Sequence, residues 1–150
     1  MLEVGQPFPS FSLSDQDGNI VTNADLLGRQ TVIFFYPKDD TPGCTIEACE
    51  FRDASNDFAP ARVIGVSPDS AKSHLKFIKK FGLNYTLLCD TEKALCEACG
   101  LWIEKVFMGK KYMGVDRTTY LLDGAGVITH IWTKVKPQGH SAEVRAALGK

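Results

Sequence analysis

The sequence lacks long apolar runs, and it carries almost no net charge. Its 150 residues have a formal net charge of −1 and a pI near 6.3. No apolar stretch approaches the roughly 18 residues that a membrane span needs. A nearly neutral chain also has no electrostatic attraction to nucleic acid or to an anionic membrane. The first residues, MLEVGQPFPS, have neither the basic start nor the apolar core of a signal peptide. We therefore expect no nucleic-acid or membrane partner.

The cysteine content also limits the class of protein. Five cysteines cannot all pair within one chain, which fits poorly with the disulfide framework of a secreted protein. A reducing cytoplasm is the better interpretation, with thiols kept free for chemistry. The length and an apolar content of 44% suit a single domain over residues 1–150. No repeat, linker or low-complexity segment divides it.

The most informative stretch is an apolar run that leads to a turn and a cysteine. Residues 32–36, VIFFY, are typical of a strand that is buried on both faces. Pro37 ends this run because it has no N–H group for a sheet ladder. Beyond Cys44, small and apolar residues recur at helical spacing, and the predicted helix ends near Pro60. These residues are Ala48, Phe51, Ser55 and Phe58. Cys44 is therefore predicted to lie in the first turn of a helix.

This position favours a reactive thiol. A free thiol has a pKa of about 8.5, and the unpaired N–H groups and dipole of a first helical turn favour the nucleophilic anion. A buried structural cysteine is the alternative, and it is the commoner fate of a lone cysteine. The neighbours of Cys44 argue against it: Thr41 supplies a hydroxyl, Pro42 stiffens the approach and Gly43 permits close backbone contact. A second thiol, Cys49, lies five residues further on.

Turn signals and caps predict the elements of the first half. A hairpin is expected around Asp17-Gly18, followed by a brief helical turn that Asn23 caps. Residues 62–67 form a second buried strand, parallel to the first through the cysteine helix, which makes a βαβ unit. Ser70 then caps a helix. Its inner side is predicted to carry Ala71, Leu75, Ile78 and Gly82, with Phe77 and Phe81 beside it.

The second half is less regular. Residues 85–88 are predicted as a short edge strand, and Asp90 as the cap of a helix that runs through Cys99 to Gly100. The glycines and lysines of 101–116 indicate a loop. Strands at 118–122 and 127–133 form a hairpin, and Ser141 opens a closing helix. Strand, helix, strand, helix, hairpin and helix is the order of the thioredoxin fold, an α/β fold, here with an added N-terminal β-hairpin.

Several separated motifs resemble one known family. The spacing Pro37-x-x-x-Thr41-x-x-Cys44 is similar to the active-site signature of the peroxiredoxins. The longer string FYPKDDTPGCTIEACEFRD resembles the Q subfamily, also called bacterioferritin comigratory proteins. VGQPFPSFSL near the start, VIGVSPD at 63–69 and RTTYLLD at 117–123 extend the likeness over nearly the whole chain.

This resemblance implies a thiol-dependent peroxidase for hydrogen peroxide and organic hydroperoxides. Cys44 would attack the peroxide, Thr41 would hydrogen-bond both sulfur and peroxide, and Pro42 would shield the site from water. Arg117 matches the family's active-site arginine, whose fixed charge favours the thiolate and holds peroxide oxygens. Glu47 either holds this arginine or is ordinary acidic bias in a first helical turn, and the sequence favours neither interpretation.

The resemblance also implies how the cycle closes. The sulfenic acid on Cys44 would condense with Cys49, and thioredoxin or glutaredoxin would reduce the disulfide. In a helix these two Cα atoms are ~8.6 Å apart, whereas a disulfide needs less than about 7 Å. The helix must therefore unwind locally. No cysteine follows Cys99, so the C-terminal resolving cysteine of dimeric members is missing, which favours a monomer.

Other functions are disfavoured by spacing. A thioredoxin-like disulfide oxidoreductase would use CxxC, and its cis-proline would fall between Pro68 and Pro137, where the sequence has none. Cys96-Glu-Ala-Cys99 has the CxxC spacing of a redox pair or of half a zinc site. It lies late in a predicted helix, near the unfavourable end of the dipole, and no second half completes a zinc site, so core packing is expected. Neither metal nor cofactor is predicted. A non-enzymatic thiol-containing binding protein remains the alternative of another class. The three histidines carry no motif, so surface or packing roles are expected of them. Cys89 is expected to be a small buried residue near a strand end. Tyr36 and Trp102 either line the pocket or fill the core, and core packing is expected.

Overall fold

A seven-stranded mixed sheet forms the centre of the computed structural model, which describes all 150 residues. Its strands are β1 (Ser12–Asp15), β2 (Ile20–Thr22), β3 (Thr31–Phe35), β4 (Arg62–Ser67), β5 (Thr86–Cys89), β8 (Thr118–Leu122) and β9 (Ile128–Trp132). A separate hairpin consists of β6 (Trp102–Phe107) and β7 (Lys110–Val115). The helices are α1 (Pro42–Phe58), α2 (Ala71–Phe81), α3 (Ala94–Ala98) and α4 (His140–Ala147), with a short 3-10 turn at Asn23–Leu26.

The strand order is β2-β1-β5-β4-β3-β8-β9. Strands β3, β4 and β5 are parallel, as the βαβ prediction requires, and β8 runs antiparallel to β3. In this register Phe35 lies opposite Thr118, so the end of β3 meets the start of β8. The residues that follow β3 and precede β8 are therefore brought together, and this is where the site lies.

The apolar run of β3 supplies both faces of the sheet. Ile33 and Phe35 belong to one buried cluster, whereas Val32 and Phe34 belong to the other, because successive strand residues point to opposite faces. The ring of Phe34 stacks on Phe51 of α1, with 4.7 Å between centroids. This contact fixes the cysteine helix against the sheet.

Several predicted elements are confirmed. The first hairpin turns at Asp17-Gly18, β4 spans 62–67, and the β8–β9 hairpin is present. The side chain of Ser70 accepts a hydrogen bond from the Ser73 N–H at 3.2 Å, so it caps α2 as expected. The closing helix α4 begins one residue before Ser141. None of the four helices has the length and hydropathy required to cross a bilayer.

The prediction of a loop over residues 101–116 is wrong. These residues form the β6–β7 hairpin, which turns at Met108-Gly109. Both turn residues have positive φ, +51° and +78°, as a two-residue hairpin turn of the primed type requires. Most side chains of this hairpin are at least partly exposed on both faces. The alternation of apolar and polar residues that reveals a half-buried strand is therefore missing.

Two other predictions are wrong because of tertiary pairing. Strand β5 is not at an edge: it lies between β4 and β1, since the N-terminal hairpin folds back onto it. Asn23 does not cap the following turn, because Thr22 occupies that position with Asp25 as its reciprocal partner. The Asn23 side chain instead accepts a hydrogen bond from the Phe11 N–H at 2.7 Å.

The helices α2 and α3 also differ from expectation. Leu75 is 47% exposed, and the buried side chains of α2 are His74 and Phe77. Helix α3 ends at Ala98 and is shorter than predicted. Its N-cap residue is Lys93 and not Asp90, because the helix begins later than predicted. The Asp90 carboxylate nevertheless accepts hydrogen bonds from the N–H groups of Leu95 and Cys96, at 3.1 and 2.8 Å.

Candidate active site

Cys44 is the third residue of α1, directly after the turn that leaves β3. Thr41 is the N-cap residue and Pro42 the first helical residue, where its missing N–H costs nothing. The Cys44 residue is only 1% exposed and its thiol is free. The predicted placement in a first helical turn is confirmed, so unpaired backbone N–H groups lie close to the sulfur.

Arg117 reaches this thiol from the neighbouring strand. It directly precedes β8, and the β3–β8 register places it beside the turn that carries Cys44. Its Nη2 donates to Cys44 Sγ at 3.2 Å, and its side chain is only 16% exposed. Burial alone lowers the pKa of Arg117, but Cys44 and Glu47 more than offset this, so the net change is upward. The sulfur therefore faces a permanent cation.

Glu47 holds the other arm of the same guanidinium. Arg117 Nη1 donates to Glu47 Oε1 at 3.0 Å, and the Glu47 side chain is 1% exposed. Of the two open interpretations of Glu47, the structure therefore favours the one in which it holds the arginine. Glu47 Oε2 is buried and has no hydrogen-bond partner. Burial raises the pKa of Glu47 to about 7, against the opposing effect of Arg117.

We expect Glu47 to make stability fall as the pH rises. The folded-state pKa of about 7 lies above the ordinary 4.5, so the folded protein keeps a proton that the unfolded chain releases between these values. The contribution of Glu47 to the free energy of unfolding is complete below the pKa of the unfolded state. It is lost as the pH rises through the pKa of the folded state. Between about pH 5 and about pH 8 the free energy of unfolding should fall by about 3 kcal/mol relative to Glu47→Gln.

Urea unfolding of both proteins across this range measures the difference. Glu47→Gln is the matched control because it keeps the shape of the side chain and cannot ionise. Parallel pH profiles for the two proteins would show that Glu47 does not change its ionisation on folding.

The other residues of the turn are arranged around Cys44. The Thr41 hydroxyl donates to the Lys38 carbonyl at 2.9 Å, and Pro42 is exposed. A Cβ atom on Gly43 would lie 3.3 Å from Arg117 Nη2 and 3.3 Å from Pro137 Cγ. Glycine thus allows the arginine to approach the backbone. Pro137 was missed by the sequence analysis, because only the fold brings the loop after β9 to this turn.

Cys49 lies on the same helix as Cys44. It is half-buried and its thiol is free. Cys89, Cys96 and Cys99 are buried, and burial raises their pKa values to about 11, 12 and 12. These three thiols are protonated and packed in the core, as expected for Cys96 and Cys99. The two cysteines of α1 are therefore the ones available for chemistry.

A buried polar cluster holds the turn between β3 and α1, and the sequence analysis did not find it. Asp39 Oδ1 accepts from the Tyr36 hydroxyl at 2.6 Å, while Oδ2 accepts from the Ser73 hydroxyl at 2.7 Å and faces His74 Nδ1 at 2.7 Å. His74 Nε2 lies 2.9 Å from the Leu88 carbonyl. Both ring nitrogens of His74 thus lie within hydrogen-bond distance of an oxygen atom.

The same cluster is the only group of potential metal ligands, formed by Asp39, Asp69 and His74. Asp69 Oδ2 already accepts from the Asp39 N–H at 2.8 Å and from the Ser67 hydroxyl at 2.7 Å. Because each ligand atom has a partner within the protein, the cluster requires no ion. Its role is to fix the turn that leads to Cys44.

Comparison with known proteins agrees with this geometry. The model of the AhpC/TSA family matches residues 4–131. The protein named peroxiredoxin Bcp in Bacillus subtilis is 46% identical over 98% of this chain and 95% of its own length. This chain is a peroxiredoxin of the AhpC/TSA family. A relative in Coxiella burnetii, whose name also contains bcp, is 48% identical over 98% of this chain and 99% of its own length.

The fold is confirmed by a solved structure. The bacterioferritin comigratory protein of Xanthomonas campestris superposes with a TM-score of 0.89 at 38% identity, covering 98% of each chain. The structures of the Xanthomonas protein include trapped intermediate and ligand complexes, which bear on its alkyl peroxide reduction activity. The thioredoxin-like fold with its N-terminal hairpin, and the membership of the bacterioferritin comigratory group, are thus confirmed.

Proposed function

We propose that this peroxiredoxin reduces hydrogen peroxide and organic hydroperoxides with Cys44 as the attacking thiolate. The observation that carries the proposal is the fork of Arg117, which spans Cys44 Sγ at 3.2 Å and Glu47 Oε1 at 3.0 Å at the start of α1. A guanidinium stays charged at any relevant pH, so it stabilises a thiolate and the negative charge that develops on peroxide oxygens.

In the first step the Cys44 thiolate attacks one oxygen of the peroxide. The S–O bond forms, the O–O bond breaks, and the departing oxygen takes a proton to leave as water or an alcohol. The Thr41 hydroxyl already donates to Lys38, so its oxygen is free to accept the hydroperoxide proton and orient the substrate. In this proposal Pro42 covers the site on the solvent side, and the Pro137 ring lies against Gly43 on the same turn.

In the second step Cys49 resolves the sulfenic acid on Cys44. The helical spacing requires the start of α1 to unwind before the S–S bond can form. We propose thioredoxin, or else glutaredoxin, as the reductant of this disulfide, and a monomer as the working form, a single domain over residues 1–150. A reducing cytoplasm supplies such a reductant. No metal or cofactor takes part in either step.

A coupled assay tests this function against the two alternatives. Purified protein is mixed with thioredoxin, its reductase and NADPH, and NADPH oxidation is followed after addition of hydrogen peroxide or cumene hydroperoxide. We expect NADPH oxidation that requires both peroxide and protein. A thioredoxin-like oxidoreductase would instead reduce insulin disulfides in the absence of peroxide. A binding protein would do neither.

Arg117→Ala should slow the peroxide step by about a hundredfold, the usual loss when a preorganised charged donor is removed. Arg117→Lys keeps a positive charge and should recover part of the rate. Recovery is incomplete because a single ammonium cannot bind Cys44 and Glu47 together as the planar guanidinium does. Stopped-flow measurement of the second-order rate constant with hydrogen peroxide gives the answer. If Arg117→Ala reacts with peroxide and with iodoacetamide as fast as the unmodified protein does, Arg117 has no part in the reaction.

A further inference from the structure

A second arginine contacts the other cysteine of α1. Arg52 lies one helical turn after Cys49, and its Nη1 is 3.6 Å from Cys49 Sγ. The same Nη1 donates to the Phe81 carbonyl at 2.6 Å, while Nε donates to Asp53 at 2.9 Å. The side chain is 32% exposed, which is low for an arginine on a helix surface. This guanidinium is therefore held in one position beside the sulfur.

The helix around Cys49 is also tied to the end of α2 and the segment after it. Besides the bond from Arg52 to Phe81, Asn84 Nδ2 donates to the Arg52 carbonyl at 3.2 Å. The Tyr85 hydroxyl donates to the Ala48 carbonyl at 2.7 Å. These three hydrogen bonds join α1 to residues outside it and lie beyond its first turn, so they persist when that turn opens.

The contact of Arg117 with Cys44 differs from these hydrogen bonds, because its strength depends on the charge of the sulfur. Arg117 attracts the Cys44 thiolate, but a sulfenic acid is neutral, so oxidation weakens this contact. Cys44 is thus released by the reaction itself, whereas Cys49 stays anchored. The unwinding that the ~8.6 Å helical separation requires is expected at the Cys44 end.

We propose that Arg52 is a second functional arginine of this peroxiredoxin, which favours the Cys49 thiolate and holds Cys49 in place as the moving Cys44 arrives. This proposal rests on the proposed role of Cys49 as the resolving thiol. In the step, Cys49 sulfur bonds to Cys44 sulfur, the S–OH bond of the sulfenic acid breaks, and the hydroxide leaves with the proton that Cys49 lost, as water. No further reductant or oxidant is required.

The charged groups around Cys49 agree with this role. Arg52 is the cation in contact with its sulfur, and Asp53 binds the guanidinium through Nε, away from the Nη1 that faces the sulfur. Burial, with smaller effects from Glu47 and Cys49, raises the pKa of Tyr85 well above its usual range, so Tyr85 remains a neutral donor. The two other carboxyls nearby in the helix are engaged elsewhere: Glu47 binds Arg117, and Glu50 accepts a hydrogen bond from the Gly139 N–H.

Single-turnover kinetics test the proposal. After a pulse of peroxide, rapid acid quench and mass spectrometry separate sulfenic acid formation from disulfide formation. We expect Arg52→Met to slow disulfide formation about tenfold near neutral pH and to displace its pH profile upward, since a charged hydrogen bond is lost. Arg52→Lys should restore part of the rate. Arg145→Met removes an exposed arginine of α4 and should leave disulfide formation unchanged.

Alkylation in a Cys44→Ser background provides a second measurement that does not depend on turnover. Cys49 should react more slowly with iodoacetamide, and at higher pH, when Arg52 is replaced by Met in a protein whose circular dichroism is unchanged. Equal alkylation profiles with and without Arg52, or an unchanged rate and pH profile of disulfide formation, would overturn the proposal. Failure of the proposed function is distinct: the unmodified protein would then form no Cys44–Cys49 disulfide at all.

Discussion

Replacement of Cys44 by serine should abolish peroxide turnover and leave the fold intact. A hydroxyl is scarcely ionised near neutral pH, so Arg117 would face a neutral oxygen and no nucleophile would form. Cys89, Cys96 and Cys99 cannot substitute, since burial raises their pKa values to about 11, 12 and 12. Cys49 lacks the contact with Arg117, whose two arms bind Cys44 and Glu47. The coupled assay should show NADPH oxidation at the rate of the protein-free control.

Cys49→Ser is the matched control for this variant. It keeps Cys44 and Arg117, so it should consume peroxide once and then stop as a sulfenic acid or proceed to sulfinic acid. A small thiol added to the assay could restart it. Substantial steady-state turnover by Cys44→Ser would mean that the nucleophile lies elsewhere in the chain.

Replacement of Asp39 by alanine should be the most destabilising change near the site. It removes the acceptor for two buried groups, the Tyr36 hydroxyl and His74 Nδ1. Each buried polar group that loses its hydrogen-bond partner typically costs about 1–3 kcal/mol, so the two together cost about 2–6 kcal/mol. For a chain of this length that corresponds to a fall in Tm of roughly 10 °C. Calorimetry measures the fall, and peroxidase activity should decline as well, because this cluster fixes the turn before Cys44.

The neighbouring Asp40 provides the comparison. Its ion pair with Lys80 joins two exposed side chains at 2.8 Å, and such pairs contribute about 0–1 kcal/mol. Asp40→Asn removes the charge and tolerates the positive φ of 56° at this position. Its Tm should therefore stay close to that of the unmodified protein. If Asp39→Ala and Asp40→Asn lowered Tm equally, the buried cluster would not be a stabilising element.

Features that depend on neighbours in the sequence were predictable. The apolar run before Pro37, the cap at Ser70 and the place of Cys44 in a first helical turn each depend on residues a few positions apart. The parallel βαβ unit follows from two such runs with a helix between them. The motif resemblance added Arg117, which lies about seventy residues from Cys44 and which no local pattern would connect to it.

Features created by folding were not predictable in the same way. The buried face of α2 carries His74, for which the sequence left a surface role and a packing role open; it is buried because Asp39 from another segment binds its ring. Pro137 reaches Gly43 only through the loop after β9. The β6–β7 hairpin has no strongly buried face, so its sequence has no strand signature.

The location of the disulfide that a single equivalent of peroxide produces is the most direct test of the proposed mechanism. The fully reduced protein is treated with one equivalent, the remaining thiols are alkylated, and unreduced peptides are analysed by mass spectrometry. We expect an intramolecular Cys44–Cys49 bond, with increased amide exchange at the start of α1 and continued protection of β8. A bond from Cys44 to Cys89, Cys96 or Cys99, or a bond between two chains, would contradict it.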